Sequence, residues 1–216
     1  MISHVFKKAE EANIGEVIVA AEDQEIVKDV KKNGGQAILT KNDHKTGTDR
    51  IFEVFQKINT SNIDLVMNLQ GDEPLMNIDD IRNLNKQMIK SSSQLGTLAS
   101  EIQDKTLLKN PNVVKVLTKE SLNQTNFPEA ENFMRNTYQE KENIYHHVGI
   151  YCYTKDILKK FVSYNQSANE IKNKLEQLRA LDNKIKINVA SAKFAPIGVD
   201  TEEDLEAVKK IMDHKS

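Results

Sequence analysis

The stretch that decides the fold is EVIVAAEDQEIVKDVKKNGGQAILT, which spans Glu16–Thr40. Its first part, Glu16–Ala21, is an apolar run with the length and composition of a buried strand. Residues 23–32 have the apolar spacing of a helix, which ends at Gly34, and Gln36–Thr40 has the character of a second strand. The pattern therefore predicts a βαβ unit, the building block of parallel sheets.

The flanking sequence continues this alternation of helices and strands. The first dozen residues carry apolar side chains at helical spacing, and a polar loop at 41–48 leads into a helix and then the apolar strand Asp64–Leu69. Such an order predicts an α/β fold with a mostly parallel sheet covered by helices on both faces. Further elements are predicted as a helix over 78–90, strands over 97–102, 113–117 and 147–153, a helix over 170–181, a strand over 184–190 and a helix over 201–212.

One segment departs from the regular pattern. Residues 118–143 are polar, rich in Asn, Gln and Glu, and show no clear period, so they are predicted to form an irregular insert. The length of 216 residues suits a single domain over 1–216 with a proper core.

Composition limits the functions to consider. The formal net charge is only −2, so nothing indicates a nucleic acid or a membrane surface as partner. The single cysteine, Cys152, cannot form a disulfide within the chain, and no apolar run reaches the length of a membrane span. A cytoplasmic protein is therefore expected.

The segment LQGDEP, 69–74, places a carboxylate where an apolar strand ends. Ligands of α/β proteins bind at the carboxyl edge of the sheet, and an aspartate there suits Mg²⁺, which takes oxygen ligands and completes its shell with water and phosphates. Asp72 is therefore a candidate magnesium ligand. The structural alternative is a turn at Gly71 that Asp72 caps.

A second carboxylate, Asp200, arises in the same way in GVD, after the strand predicted at 184–190. The two carboxylates, each after a strand, could bind one ion. Here the structural alternative is helix capping by Asp200 or Thr201, with Asp204 completing a capping box, and the pattern alone favours it.

The segment TGTDR, 46–50, combines small residues with an arginine. Backbone groups at Gly47 and Thr48 can approach a base or ribose closely, and the guanidinium of Arg50 has fork-shaped donors. The alternative is an ordinary helix start with Arg50 solvated in the first turn.

Two later segments could contact a polyhydroxylated sugar. Alternation along HVGIYCY sends His147, Gly149 and Tyr151 to one face of a strand, although aromatic strand residues often serve only in packing. In KLEQLRAL, a leucine stripe leaves Glu176, Gln177 and Arg179 off the core face, which ordinarily indicates solvated residues. His44 and His147 have no neighbours at zinc-ligand spacing, so zinc is not expected.

The order of these motifs along the chain carries a resemblance. VIVA, TKNDHKTGTDR, NLQGDEP, NPNVVKV, HHVGIYCY, LEQLRAL and GVDTEEDLE follow one another from about residue 3 to 211. In this the chain resembles the 3-deoxy-manno-octulosonate cytidylyltransferases, also called CMP-Kdo synthetases. The resemblance implies a Rossmann-like nucleotidyltransferase fold, a homodimer, and synthesis of CMP-Kdo and pyrophosphate from CTP and Kdo for lipopolysaccharide.

The resemblance also implies residue roles. Asp72 and Asp200 would hold Mg²⁺ and act as the catalytic carboxylates. The cytidine would lie near Gly47, Thr48, Arg50 and Gln70. The sugar would lie against His147, Tyr151, Glu176 and Gln177.

The chain also departs from the family pattern. Family members begin with a strand and a loop of the type PARxxSTRxPGKPL, whose Arg and Lys hold the triphosphate, whereas Met1 corresponds to a point after that loop. A fold with its first strand missing and slow turnover are expected from this. An FSR-type segment is also not found after VVKVL, and Arg135 does not stand in its place.

Two functions from different classes follow. The first is the transferase that the resemblance implies, with a relative that activates another acidic sugar as a variant. The second is a catalytically inactive homologue that binds a nucleotide weakly or acts as an interaction partner.

Overall fold

A computed structural model describes residues 1–137 and 142–213 of the protein. It is a mixed α/β fold, as predicted, with strands in two sheets that helices cover. The strands are β1 Ile18–Ala21, β2 Gln36–Leu39, β3 Leu65–Asn68, β4 Leu95–Ser100, β5 Lys115–Thr118, β6 Ala130–Met134, β7 Ile144–Thr154 and β8 Asn188–Ser191. The helices are α1 Ile2–Ala12, α2 Gln24–Lys32, α3 Gly47–Lys57, α4 Ile78–Ser91, α5 Lys155–Ser163, α6 Ala168–Asn173, α7 Gln177–Asp182 and α8 Glu202–Asp213, and a 3₁₀ helix spans Lys105–Lys109.

The larger sheet has six strands and is organised around the long strand β7. One edge of β7 pairs with β4, and the other pairs with β5 near its start and β3 near its end, all antiparallel. β8 adds to β4 in parallel. β3, β4, β5 and β8 therefore run in one direction, so their carboxyl ends meet at one edge, although most neighbouring pairs are antiparallel. The sequence pattern did not predict this antiparallel centre.

The βαβ unit forms a separate small sheet. β1 pairs in parallel with β2 over four residue pairs, starting from Ile18 opposite Gln36. The N-terminus of α2 is capped by Asp23, which accepts from the Glu25 N–H at 2.7 Å. The predicted unit is thus confirmed, but within the described residues it pairs with no strand of the larger sheet.

A cavity of about 1240 Å³ lies between the two sheets. β1 and β3 line it from opposite sides, with α1 and α4 over it and α3 also at its wall. The apolar side chains Ile18, Val19, Leu65 and Val66 are only partly buried, because they face this space.

Two apolar cores cover the faces of the larger sheet. One packs α3, α5 and α7 against the sheet around Phe55, Tyr153 and Phe161. The other packs α1 and α4 against the opposite face around Met88, Leu98 and Cys152. The predicted layers, with helices on both faces, are therefore present.

The prediction of an irregular insert over 118–143 was wrong in part. β6 lies within it and pairs antiparallel with β5, and the side chains of Leu122, Phe127 and Phe133 are buried in the core. These few apolar residues are spaced too irregularly to form a period, but each packs against the sheet. Residues 138–141 of the segment lie outside the described residues.

The helix predicted over 170–181 is two short helices, α6 and α7. Lys174 adopts a left-handed conformation with φ of 53°, which ends α6 and turns the chain before Glu176. Ser167 and Glu170 form a reciprocal capping box at the start of α6. The break is what allows the residues of α7 to point into the protein. Helix α5 was not predicted.

No helix of the described residues is long and apolar enough to cross a membrane.

Candidate active site

The two carboxylates predicted to share a metal lie in loops at the same edge of the larger sheet. Asp72 follows β3 and Asp200 follows β8, and both strands run toward this edge. A backbone hydrogen bond joins the loops, because the Val199 N–H donates to the Asp72 carbonyl oxygen at 2.9 Å. The structure therefore brings the two segments together, although they are distant in sequence.

The electrostatics of this pair favour a bound cation. Burial raises the pKa of the Asp72 carboxyl, and the negative charge of nearby Asp200 raises it further. A carboxylate whose charge is disfavoured by burial and by a neighbouring carboxylate gains from a divalent ion beside it. Hard oxygen donors and an open, solvent-facing side suit Mg²⁺, which keeps several waters and uses few protein ligands. No cluster of three or more His, Cys, Asp or Glu side chains that could hold a metal occurs in the described ranges.

Helix capping does not occupy the Asp200 side chain. The start of α8 is capped by Thr201, whose Oγ1 accepts from the Asp204 N–H at 3.2 Å. Asp204 in return accepts from the Thr201 N–H at 3.0 Å and from the Asp200 N–H at 3.3 Å. The capping alternative is thus realised by Thr201 and Asp204, and the carboxylate of Asp200 is exposed to solvent.

The TGTDR segment forms the N-terminus of α3, where Thr46 is the cap. Thr48 is fully buried, and its hydroxyl contacts the hydroxyl of Tyr153 at 3.1 Å and the carboxylate of Glu176 at 2.8 Å. Its side chain therefore links the predicted nucleotide side to the predicted sugar side. Gly47 is exposed beside this helix start.

Arg50 and Gln70 lie close to the same sheet edge. The guanidinium of Arg50 forms an ion pair with Glu22 at the end of β1, and its Nε is buried without a partner. The side-chain amide of Gln70 donates to the Gly149 carbonyl oxygen at 3.0 Å. Arg50 is therefore a partly exposed first-turn residue of α3 that makes an ion pair, and both interpretations of it stay open.

His147 and Tyr151 share one face of β7, as alternation predicted. Their ring centroids are 5.5 Å apart, and Phe133 of β6 meets His147 edge-on. The His147 Nε2 lies 2.9 Å from the Thr97 hydroxyl. Burial lowers the pKa of His147 to about 3, so the ring is neutral at physiological pH. A neutral imidazole can exchange hydrogen bonds with a hydroxyl without bringing a charge.

Glu176, Gln177 and Arg179 are not on a solvated face, so that interpretation was wrong. Gln177 is buried, and Arg179 is only 1% exposed. The Arg179 guanidinium binds the Glu170 carboxylate at 2.6 and 2.8 Å and reaches Asp49 of α3 at 3.1 Å. Because α7 starts a new helix after the left-handed turn, these polar residues face inward, where they find charged partners.

These ion pairs and hydrogen bonds connect the predicted nucleotide side to the predicted sugar side. Asp49 and Thr48 belong to α3, whereas Arg179 and Glu176 belong to the segment around α7. Burial raises the pKa of Glu176, while the hydrogen bonds from Thr48 and the charge of Arg179 oppose that rise. The result is a polar cluster with fixed side chains inside an apolar core.

Sequence reasoning missed Glu73, the residue after Asp72. Its carboxyl is largely buried, and its Oε2 has no hydrogen-bond partner. Burial raises the pKa of Glu73 to about 7, with the charge of Asp72 as a second cause. The motif LQGDEP contains this residue, but spacing alone could not show on which side of the turn it lies.

Two other residues have structural roles. Arg135 donates to the backbone carbonyls of Asn173, Lys174 and Pro111, so it anchors the turn before α7. His44 is bonded to the carboxylate of Glu53. Neither residue reaches the cluster described above.

An α/β sheet with two carboxylates in the loops at its carboxyl edge, and a buried polar cluster beside them, fits the class of nucleotidyltransferases. The comparisons agree with this class. The model of the family described as Cytidylyltransferase matches residues 1–187.

Curated relatives narrow the class to one family. The chain is 40% identical over 220 residues to the 3-deoxy-manno-octulosonate cytidylyltransferase of Bartonella tribocorum, covering 98% of this chain and 87% of the relative. It is 40% identical over 214 residues to that of Afipia carboxidovorans, with 98% and 86% covered. A solved structure of CMP:2-keto-3-deoxy-manno-octonic acid synthetase complexed with CTP superposes with a TM-score of 0.87 at 33% identity, covering 100% of this chain and 88% of that one. The chain belongs to the 3-deoxy-manno-octulosonate cytidylyltransferase family.

Proposed function

We propose that the protein transfers CMP from CTP to 3-deoxy-manno-octulosonate, giving CMP-Kdo and pyrophosphate. The observation that carries the proposal is the polar cluster at the carboxyl edge, where the Asp72 and Asp200 loops meet beside His147, Tyr151, Glu176 and Gln177. Relatives over nearly the whole chain bear the name of this activity, which favours the transferase over an inactive binding protein.

The mechanism needs little covalent chemistry from the protein. The anomeric hydroxyl of the sugar attacks the α-phosphorus of CTP, the bond to the β-phosphate oxygen breaks, and pyrophosphate leaves. Reactions of this kind depend on holding both reactants in line and on stabilising the charge that develops. The residues therefore act chiefly by position.

Hydrogen bonds within the protein orient the side chains of the sugar side. Glu176 is fixed by Thr48, and His147 is fixed by Thr97. A carboxylate and a neutral ring of fixed orientation can pair with hydroxyls of a sugar at little cost in side-chain entropy. Gln177 adds an amide that can donate to the carboxylate of the acidic sugar.

Asp72 and Asp200 are the residues that would hold Mg²⁺. When bound, this ion would neutralise the charge of the triphosphate and orient the reacting groups. The nucleotide side would comprise Gly47, Thr48, Arg50 and Gln70. Of these, Arg50 offers an unused donor, because its Nε has no partner.

The cellular setting is part of the proposal. The product of such a reaction serves lipopolysaccharide synthesis, and the protein would work in the cytoplasm, as a homodimer. CTP and the sugar acid would be its only substrates.

Pyrophosphate release tests the function. Purified protein with CTP, Kdo and Mg²⁺ should release pyrophosphate and form CMP-Kdo in equal amounts, and omission of Kdo should abolish both. Binding of CTP without formation of any product would support the inactive homologue instead. Product with another sugar acid but not with Kdo would support the variant with a different acceptor.

A further inference from the structure

The carboxyl group of Glu73 lies on the sugar side of the site. An ideal Cβ placed on Gly149 would be 3.8 Å from the Glu73 Oε1 and 3.5 Å from the Gln70 Cγ. Gly149 is the β7 residue between His147 and Tyr151, so the carboxyl of Glu73 covers the middle of that face. The glycine leaves room for it, since a larger side chain would meet both neighbours.

Glu73 also interacts electrostatically with a residue on this face. The phenol of Tyr151 interacts electrostatically with the carboxyls of both Glu73 and Glu176. Glu73 and Glu176 are far apart in the sequence, one after β3 and one before α7. They therefore approach the aromatic face of β7 from two different elements.

One oxygen of this carboxyl is unused. The Oε2 is buried and accepts no hydrogen bond, whereas the oxygens of Glu170, Asp80 and Glu176 are all bonded. A buried acceptor without a donor is costly to a protein, and native structures satisfy nearly all such atoms. An unsatisfied one at a site therefore indicates a donor that arrives with the ligand.

We propose that Glu73 binds the acidic sugar, its Oε2 accepting a hydrogen bond from one of the sugar hydroxyls. This inference rests on the proposed function. A polyol is the chemistry that fits, because it brings neutral O–H donors to a buried carboxyl beside the strand that carries His147 and Tyr151.

Binding of the sugar tests the assignment directly. Calorimetry of Kdo with the full chain, in the presence of Mg²⁺ and a non-hydrolysable CTP analogue, should show about 10- to 100-fold weaker sugar binding in Glu73→Ala. Glu73→Gln keeps an acceptor oxygen and should lose less. Affinity for the nucleotide should change less than about twofold in either variant, since that side is built from other residues.

Monodeoxy analogues of the sugar separate a direct contact from a structural effect. One analogue lacks the hydroxyl that Glu73 accepts from, and it should bind the unaltered protein more weakly than Kdo does. Glu73→Ala should bind this analogue and Kdo equally well, because the acceptor of that hydroxyl has already been removed. If every analogue loses the same factor in both proteins, Glu73 does not bind a hydroxyl. Glu131→Gln, at an exposed position of β6, is the matched control and should bind all ligands normally.

A role in metal binding predicts a different result. The Mg²⁺ concentration that half-saturates nucleotide binding should shift in Asp72→Asn but not in Glu73→Gln; a shift in Glu73→Gln would overturn the proposal in favour of a metal ligand. If the unaltered protein binds no Kdo and forms no product, the proposed function itself is wrong, and this inference falls with it. Normal turnover with unchanged sugar binding in Glu73→Ala would overturn only this inference.

Discussion

The two halves of the candidate site are built in different ways. On the predicted sugar side, Glu176 and Arg179 are held in an interior network of charges and hydroxyls that joins α3 to α7, and Gln177 is buried next to them in the chain. On the metal side, Asp72 is half-buried and Asp200 is exposed, and the charge of one disfavours that of the other. Under the proposed function, recognition of the acceptor would be built into the fold, whereas the metal side would become complete only with its ligands.

If this contrast is right, the largest effect on stability comes from the sugar side. Arg179→Met should lower the free energy of unfolding by about 3–5 kcal/mol, because it leaves the buried Glu170 carboxylate without its partner. Lys209→Met, which breaks an exposed ion pair with Glu206, should change it by about 0.5 kcal/mol or less. Urea unfolding followed by circular dichroism measures both. Equal losses in the two variants would contradict the contrast.

The largest effect on activity without loss of stability comes from the metal side. Asp72→Asn should reduce the rate of pyrophosphate release by about 100-fold or more, because the ion that neutralises charge is bound less well. Its free energy of unfolding should stay equal or rise, since a half-buried charge beside Asp200 is removed. Asp79→Asn, which loses an exposed ion pair with Lys193, is the matched control and should turn over normally.

Acid should lower the free energy of unfolding, because His147 is buried in its neutral form. The pKa of this ring is lowered to about 3 in the folded protein, against an ordinary value of 6.5. Between these values the unfolded chain binds a proton that the folded protein does not, so stability falls as pH drops from about 6.5 toward about 3. His147→Gln should flatten this decline, whereas His4→Gln, at an exposed position, should not. Urea unfolding of the three proteins at about pH 7.5 and about pH 5 gives the comparison.

The smallest expected effect concerns a single hydroxyl. Tyr153→Phe removes the contact with Thr48 and should cost about 1 kcal/mol of stability, because Thr48 keeps its bond to Glu176. A double-mutant cycle with Thr48→Val isolates the coupling between the two hydroxyls. A coupling of zero would show that the Thr48 hydroxyl acts through Glu176 alone.

The order of helices and strands could be predicted well from periodicity. The βαβ unit, α3, α4 and α8 have long amphipathic or apolar runs with clear caps, so local sequence sufficed. The pairing could not be predicted, because β7 joins β3, β4 and β5 through contacts far apart in the chain. The core residues of the 118–143 segment were missed because isolated phenylalanines in a polar stretch form no period.

The candidate residues were found by motif, but their surroundings were not. Asp72 and Asp200 each follow a strand that the sequence predicted, and parallel strands end at the same edge of a sheet. Their position at one edge could therefore be expected. The inward orientation of Arg179 depends on the left-handed Lys174, which has no strong local signal. Glu73 was passed over because only the register of β7 shows that its carboxyl lies over Gly149. The roles of all these residues stay predictions until the variants are measured.

Side-chain packing, not strand pairing, joins the β1–β2 sheet to the larger sheet. Within the described residues the two sheets share no ladder hydrogen bonds, and contacts of α1 with α4 and of β1 with α3 hold them together. Amide protons of residues 18–21 should then exchange with deuterium sooner than those of β4, which has partners on both sides. Glu22, the ion-pair partner of Arg50, directly follows that strand, so early exchange there would mark the predicted nucleotide side as the less stable of the two.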